Sequence, residues 1–380
     1  MQVEKLSNTI DIKKYLFHLG VDGGGIDILA SKASSHLLLI RGMHVGAANI
    51  LKQDALSIGA DLAVPRGTVI AKEKYVDCLL IATQKQLQTL ARKELAQPFG
   101  LKELAKRFKQ YASVQAPRNV ELMGVLNAND DSFFSQSRFE AKNAREKIEK
   151  MIEDGADIID IGGVSSRPNS IVVSPKEELA RVKEICDIIK VHKLYEKVKF
   201  SLDSYEPSVI SYALESGFHI INDITGLTND AVCSLCAHYN AKAVIMHMQG
   251  TPQTMQKAPH YENILTEVGA FFEQRIEKAE SFGIKDIILD VGIGFGKTLE
   301  HNLMLLCHLE HFLVYDKPLL VGASRKSMID AISPSKIEER LGGTLAIHLE
   351  SLRNGASIIR AHDVAEHHQA IKVYQAMHSL

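Results

Sequence analysis

The sequence predicts a (β/α)8 TIM barrel preceded by a small α/β domain, and three observations carry that prediction. From about Met123 onward a short apolar run recurs eight times. Each run is followed by a longer segment with apolar residues at helical spacing. Each run also stops on a glycine or a polar side chain, at the end of the strand where barrel loops converge. A doubly wound open sheet is the alternative way to assemble the same units.

The first unit, residues 1–116, reads as a small α/β domain. It holds strand-like "HLLLIRG" and "DCLLIAT", helical "AANILKQDALSIG", and the basic helix "QPFGLKELAKRFKQYA". It contains no catalytic constellation. His44 and Lys72 are candidates there, weighed against an ordinary solvated surface. The stretch "ASVQAPRNVE" links this unit to the barrel, residues 117–380.

The eight barrel runs are "ELMGVLN", "DIIDIGG", "KFSLD", "HIINDI", "KAVIMHM", "DIILDVG", "PLLVGA" and "SIIRAH". They are short and almost continuously apolar, as expected of parallel strands covered on both faces. Segments such as "SRFEAKNAREKIEKMIEDG" and "YENILTEVGAFFEQRIEKAESFG" lie between them, amphipathic and ending in glycine.

Composition excludes several classes. A 380-residue chain has room for one large domain and a smaller one. Its formal net charge of −2 argues against nucleic acid, because a polyanion binder needs a basic face. No apolar run is long enough to cross a bilayer. The opening "MQVEKLSNTIDIKKY" lacks the apolar core of a secretory signal. Five cysteines are too few for a disulfide scaffold, which points to the reducing cytoplasm. Cys233 and Cys236 form a C-x-x-C pair without a second ligand pair, which favours packing over zinc or redox chemistry.

The run ends supply Asn127, Gly162 with Gly163, Asp203, Asn222 with Asp223, His247, Asp290, Ser324 with Lys326, and Arg360 with His362. Carboxylates and amides on neighbouring strands suit the edge of a flat heterocycle bearing donors and acceptors. Arg167, Arg360 and His362 supply cationic donors suited to phosphate. The pairing calls for a polar heterocycle with an anionic tail. The Asn127 amide oxygen suits Mg2+, with phosphates completing the shell.

Two motifs point elsewhere. "GIGFGKT" imitates a phosphate loop, but the spacing requires glycine at position 291, which is Val291. In "RAHDVAEHHQA", His362, Asp363, His367 and His368 suggest zinc, yet His367 and His368 fall on the following helix, away from the mouth.

From about Glu121 to Leu380 the chain closely resembles the dihydropteroate synthase family. The resemblance rests on "LNANDDSF", "GADIIDIGGVSSRP", "SLDSYEPSVISYAL", "IINDITGL", "MHMQGTPQTMQ", "DVGIGFGKTLEHNLMLL", "VGASRKSMI", "RLGGTLA" and "GASIIRAHDV", in family order. It implies a barrel that uses magnesium, forms a homodimer, and joins 6-hydroxymethyl-7,8-dihydropterin diphosphate to 4-aminobenzoate with release of pyrophosphate. It assigns Asp203, Asn222, Met246, Asp290 and Lys326 to the pterin, and Asn127 to magnesium. Arg167, Arg360 and His362 take the diphosphate, while Ser166, Pro168, Phe295, Lys326 and Ser327 frame the aminobenzoate. Asp203, Lys326, Arg360 and His362 carry catalysis in this reading.

Departures from the family pattern fall in two loops. Asn129-Asp130 and Phe134-Ser135 replace Thr-Pro and Ser-Asp in the first; Val164, Ser166 and Asn169 replace Glu, Thr and Gly in the second. Val291 stands where proline is usual. They motivate one alternative, a pterin-binding scaffold without catalysis; another, sharing the barrel and the Asp/Asn pterin contacts, is a methyltetrahydrofolate–corrinoid methyltransferase. The latter has no obvious use for "SRKS" with "RAHD".

Overall fold

The structure, a computed structural model, describes residues 3–7, 10–114, 119–128, 138–164 and 173–378, without the side chains of 138–142. It forms two compact units, Met1–Gln115 with Gln375–Leu380, and Ala116–Tyr374.

The first unit begins with helices α1 (Ile12–His18) and α2 (Gly23–Ala33), neither of which buries a residue. Strand β1 (Ser35–His44), helix α3 (Val45–Leu56), strands β2 (Asp61–Ala63) and β3 (Tyr75–Thr83), and helices α4 (Gln84–Lys93) and α5 (Leu101–Ser113) follow. The sheet is antiparallel with β3 central. Strand β3 alternates buried and exposed side chains, as a sheet with one packed face must. Leu51, Leu80, Leu87, Leu101 and Phe108 make its core.

The second unit alternates strand and helix, with two helices before its last strand: β4 (Glu121–Asn127), α6 (Arg138–Glu153), β5 (Ile158–Gly162), α7 (Pro175–Val191), β6 (Lys199–Asp203), α8 (Pro207–Glu215), β7 (Ile220–Asp223) and α9 (Asp230–His238). It continues with β8 (Lys242–Met246), α10 (Ile264–Ser281), β9 (Ile287–Asp290), α11 (Leu299–Cys307), β10 (Leu319–Val321), α12 (Ser327–Ile332), α13 (Leu341–Arg353), β11 (Ile358–Ala361) and α14 (Val364–His378). The eight strands close in the order β10-β11-β4-β5-β6-β7-β8-β9, so the barrel forms and the open sheet does not. Local sequence starts the helices where they are needed. Ser174 caps α7 ahead of Pro175, and Thr298 and His301 cap α11 reciprocally.

Two cores explain the continuous hydrophobicity of the strands. Leu122, Ile159, Ile161, Leu202, Ile221, Ile245, Leu289 and Ile359 join the core that includes helix residues such as Ile185 and Phe272. Met123, Ile158, Ile220, Val244, Ile288, Leu320 and Ile358, from seven strands, form a separate buried cluster. That cluster is the filling of the barrel interior, since no other location meets so many strands.

Candidate active site

Strand side chains alternate between faces, so the residue two places beyond each interior filler also points inward. Counting on from the interior cluster gives Val125, Asp160, Asn222, Met246, Asp290, Gly322 and Arg360. On β6 the same spacing leads from buried Ser201 to Asp203. The floor is therefore apolar but for Ser201, and the next level toward the strand ends carries three carboxylates, an amide, a thioether and a guanidinium. Strand register places Asp203 beside Asn222 and Met246 beside Asp290.

These groups form one charged assembly. Arg360 Nε donates to Asp160 Oδ2 at 2.6 Å, and Nη2 donates to Asp203 Oδ2 at 2.9 Å. Asn222 Nδ2 donates to the same Asp160 oxygen at 3.2 Å. Burial opposes the Arg360 cation, but Asp160 and Asp203 raise it above its ordinary value, with Asp290 adding to them. Burial pushes the Asp203 carboxyl upward, against the pull of Arg360. Burial also raises Asp290, whose Oδ1 accepts from Gly292 N at 2.7 Å. Asp160 Oδ1, Asn222 Oδ1 and Ser201 Oγ are buried with no hydrogen-bond partner among the described residues. Unsatisfied buried acceptors are costly, so this level is built for something that brings donors.

The loop after β9 closes one wall. Gly292 and Gly296 have φ of +68° and +62°, and a Cβ there would meet His247 O at 2.0 Å and Gln249 O at 2.5 Å. The glycines allow this loop to lie against the backbone after β8. Lys297 is buried, and its Nζ lies 3.0 Å from His247 Nδ1, 3.1 Å from His247 O and 2.9 Å from Phe295 O. Burial lowers this ammonium to about 7. It staples the loop from a buried position, with its ammonium against His247 and the Phe295 carbonyl. Phe295 packs with Met246, Met255 and Ile224, and Lys326 Nζ sits 4.4 Å from its ring centroid. The charge of Lys326 works against burial at both Asp203 and Asp290.

The turns after β10 and β11 meet. Ser324 Oγ lies 2.9 Å from His362 Nδ1 and accepts from His362 N at 3.3 Å. Arg325 pairs with Asp363. Ser327 starts α12 and is exposed. Asn127 ends β4, partly buried, opposite Gly162. Ser166, Arg167, Pro168, Asn169 and the first loop from Asn129 to Ser135 lie outside the described residues.

Other sequence candidates fall elsewhere. His44 caps α3 through Nδ1 and stacks on Phe99 at 4.8 Å, a structural role. Lys72 is exposed. Cys233 and Cys236 are buried on α9. His367 and His368 lie on α14, and no group of three metal-ligating side chains occurs among the described residues.

Sequence reasoning missed Asp160. It took Gly162 and Gly163 as the polar end of the run and passed over the acid two places earlier. The signal was available: Ile158, Asp160 and Gly162 share a face by alternation, and an acid inside an otherwise apolar strand marks an inward position.

Residues 123–362 match the family of pterin binding enzymes. The chain is 42% identical over 375 residues to the bifunctional dihydropteroate synthase/dihydropteroate reductase of Helicobacter pylori, covering 99% of both chains. It is 41% identical over 258 residues to the dihydropteroate synthase of Escherichia coli, covering 67% of this chain and 90% of that one. The dihydropteroate synthase of Thermus thermophilus in complex with 4-aminobenzoate superposes with a TM-score of 0.61 at 36% identity, over 68% of this chain and 95% of that one.

Proposed function

The chain belongs to the dihydropteroate synthase family of pterin-binding enzymes, and from that premise we propose how its own residues carry out the transfer of a dihydropterinylmethyl group to 4-aminobenzoate. The observation that carries the reading is the polar level above the barrel floor. Its buried acceptors, Asp160 Oδ1 and Asn222 Oδ1, lack partners among the described residues, and Asn222 lies beside Asp203 in the strand register.

Asp290 and Asn222 take the donor-rich edge of the pterin, with Asp203 on the adjacent strand and Met246 against the ring. Arg360 is held by two carboxylates, which fix the plane of its guanidinium. His362, one residue past the end of β11, would take the diphosphate. Arg167 would join it from the second loop. Phe295, Lys326, Ser327, Ser166 and Pro168 frame the aminobenzoate. The bond from the pterin methylene carbon to the diphosphate oxygen breaks, and its electron pair leaves with pyrophosphate. Asp203 and Asp290 stabilise the positive charge that spreads into the ring. The aryl amine forms the new carbon–nitrogen bond and loses a proton. Positioning supplies the rest of the rate.

Asn127 offers one neutral oxygen at a strand end. That suits an ion which keeps several waters and takes its remaining ligands from phosphate. An Mg2+ ion held there would supply neutralisation of the diphosphate charge. The same reading carries a homodimer in the cytoplasm.

A second activity is favoured by the full-length match to a relative named as both synthase and dihydropteroate reductase. Residues 1–115 lie outside the pterin-binding match. They are the part of the chain that such an activity would draw on.

Pyrophosphate release with both substrates and magnesium tests the synthase reading, with each substrate omitted in turn. Pterin binding without release would leave the scaffold reading standing. Formation of tetrahydropteroate from dihydropteroate and a reduced nicotinamide tests the second activity; none would remove it.

A further inference from the structure

The turn that carries Ser324 and Lys326 is held from behind by one face of α13. Arg325, in the middle of that turn, has φ of +57°, a left-handed conformation unfavourable for a side chain with a Cβ. Three polar side chains spaced four residues apart hold the backbone there. Arg340 Nη1 donates to Arg325 O at 3.2 Å. Arg325 N donates to Thr344 Oγ1 at 3.0 Å, and Ala323 N donates to His348 Nε2 at 3.0 Å.

The last bond determines a sequence of proton positions. Because Ala323 N–H is a donor, His348 Nε2 must accept, so the ring proton is on Nδ1. His348 Nδ1 then donates to His367 Nε2, 2.9 Å away. His367 must in turn carry its proton on Nδ1, which donates to Asp363 O at 2.6 Å. A single directed chain thus runs from the turn after β10 to the turn after β11, through two buried neutral imidazoles. The same two turns also meet through Ser324 with His362 and Arg325 with Asp363. An apolar pair would fill the space but strand the Ala323 N–H and break the side-chain link between the turns, leaving the Asp363 carbonyl only its bond from His367 N at 3.2 Å.

We propose that His348, seated by His367, is a positioning residue of the synthase reaction, setting the Lys326 turn against the His362 turn so that the pterin and diphosphate ends of the site keep their spacing. This rests on the synthase reading above, since it assigns Lys326 and His362 to the substrates. His348 reaches no substrate itself.

The test is a double-mutant cycle in the full chain, following kcat and KM for both substrates together with the unfolding midpoint. His348→Leu is expected to lower kcat/KM by about a hundredfold, the scale of an ångström-sized misplacement. His348→Gln, which can still accept and donate, is expected to recover most of that loss. Adding His348→Leu to Lys326→Arg should lower turnover little beyond Lys326→Arg alone, because both changes disturb the same ammonium. Losses that multiply, or that follow the unfolding midpoint without rescue by glutamine, would overturn the proposal. If His348→Leu does not fold, Thr344→Val supplies the same cycle through the Arg325 N–H. Wild-type protein without turnover would sink the synthase reading and this proposal with it; turnover with multiplying losses sinks this proposal alone.

Discussion

Arg360 and Asp160, 200 residues apart in the chain, meet at 2.6 Å inside the barrel. Strand β4 lies between their strands, and its inward residue at that level is the apolar Val125. The ion pair therefore spans the pocket wall and fixes the guanidinium before any substrate arrives.

Asp160→Asn keeps an acceptor but removes the charge, and turnover is expected to fall at least about tenfold. Asp160→Ala leaves a buried cation with one partner fewer and should cost roughly 3–5 kcal/mol of stability. Steady-state kinetics and urea unfolding check both. Unchanged values in both would mean that Asp203 alone orients Arg360.

Asp290→Ala should weaken binding of a pterin by at least about a hundredfold, since two charge-assisted hydrogen bonds of about 1.5–3 kcal/mol each are lost. Calorimetric titration with a pterin reads this directly, and near-normal affinity would remove Asp290 from the ring edge.

Lys326→Ala should raise KM for both substrates, because the ammonium lies 4.4 Å from the Phe295 ring and acts on both pterin-side carboxylates. Phe295→Leu should raise KM for 4-aminobenzoate while leaving pterin affinity within about threefold, a contact worth no more than about 2 kcal/mol. The split between the two variants separates the subsites; equal effects of Phe295→Leu on both substrates would merge them.

Acid should expose the buried imidazole beside the Lys297 staple. Burial lowers His247 to about 3, against an ordinary 6.5. Between those values the unfolded chain binds a proton that the folded chain refuses, so the stability from this group is lost as pH falls from 6.5 toward 3. Burial raises Asp203, which acts in the opposite direction, so the difference between wild type and His247→Gln is the measurement. The unfolding free energy of wild type should fall more steeply below pH 6.5 than that of the variant. Parallel curves would place a proton on His247 in the folded protein.

A chain beginning at residue 117 is expected to retain synthase turnover within about tenfold, because the pterin-binding match, residues 123–362, lies inside the barrel unit. Pyrophosphate release by the purified truncation checks it. A soluble, folded and inactive truncation would assign the first unit a part in the synthase site.

Much of this was already legible along the chain. The eight strands form where "KFSLD" and its counterparts stand, because a parallel strand covered on both faces must be a short apolar run bounded by breaks. Asp203, Asn222, Asp290 and Arg360 were legible as run ends, because barrel topology sends every such end to one mouth. Asp160 was passed over because two glycines beyond it looked like the run's end, and a rule that reads ends does not read faces.

The linear order of residues left barrel and open sheet as two ways to assemble the same units; by itself it determined the alternation of strand and helix, and the family of chemistry. Those depend on local periodicity and on motifs that are contiguous in the chain. Only the tertiary structure decided which groups are partners: that Arg360 answers to Asp160 and Asp203, that Lys297 is buried beneath the loop, and that two imidazoles join the turns bearing Lys326 and His362. Partnership at that scale depends on distances of a few ångströms between residues up to 200 positions apart, which closure of the barrel creates and no local pattern contains.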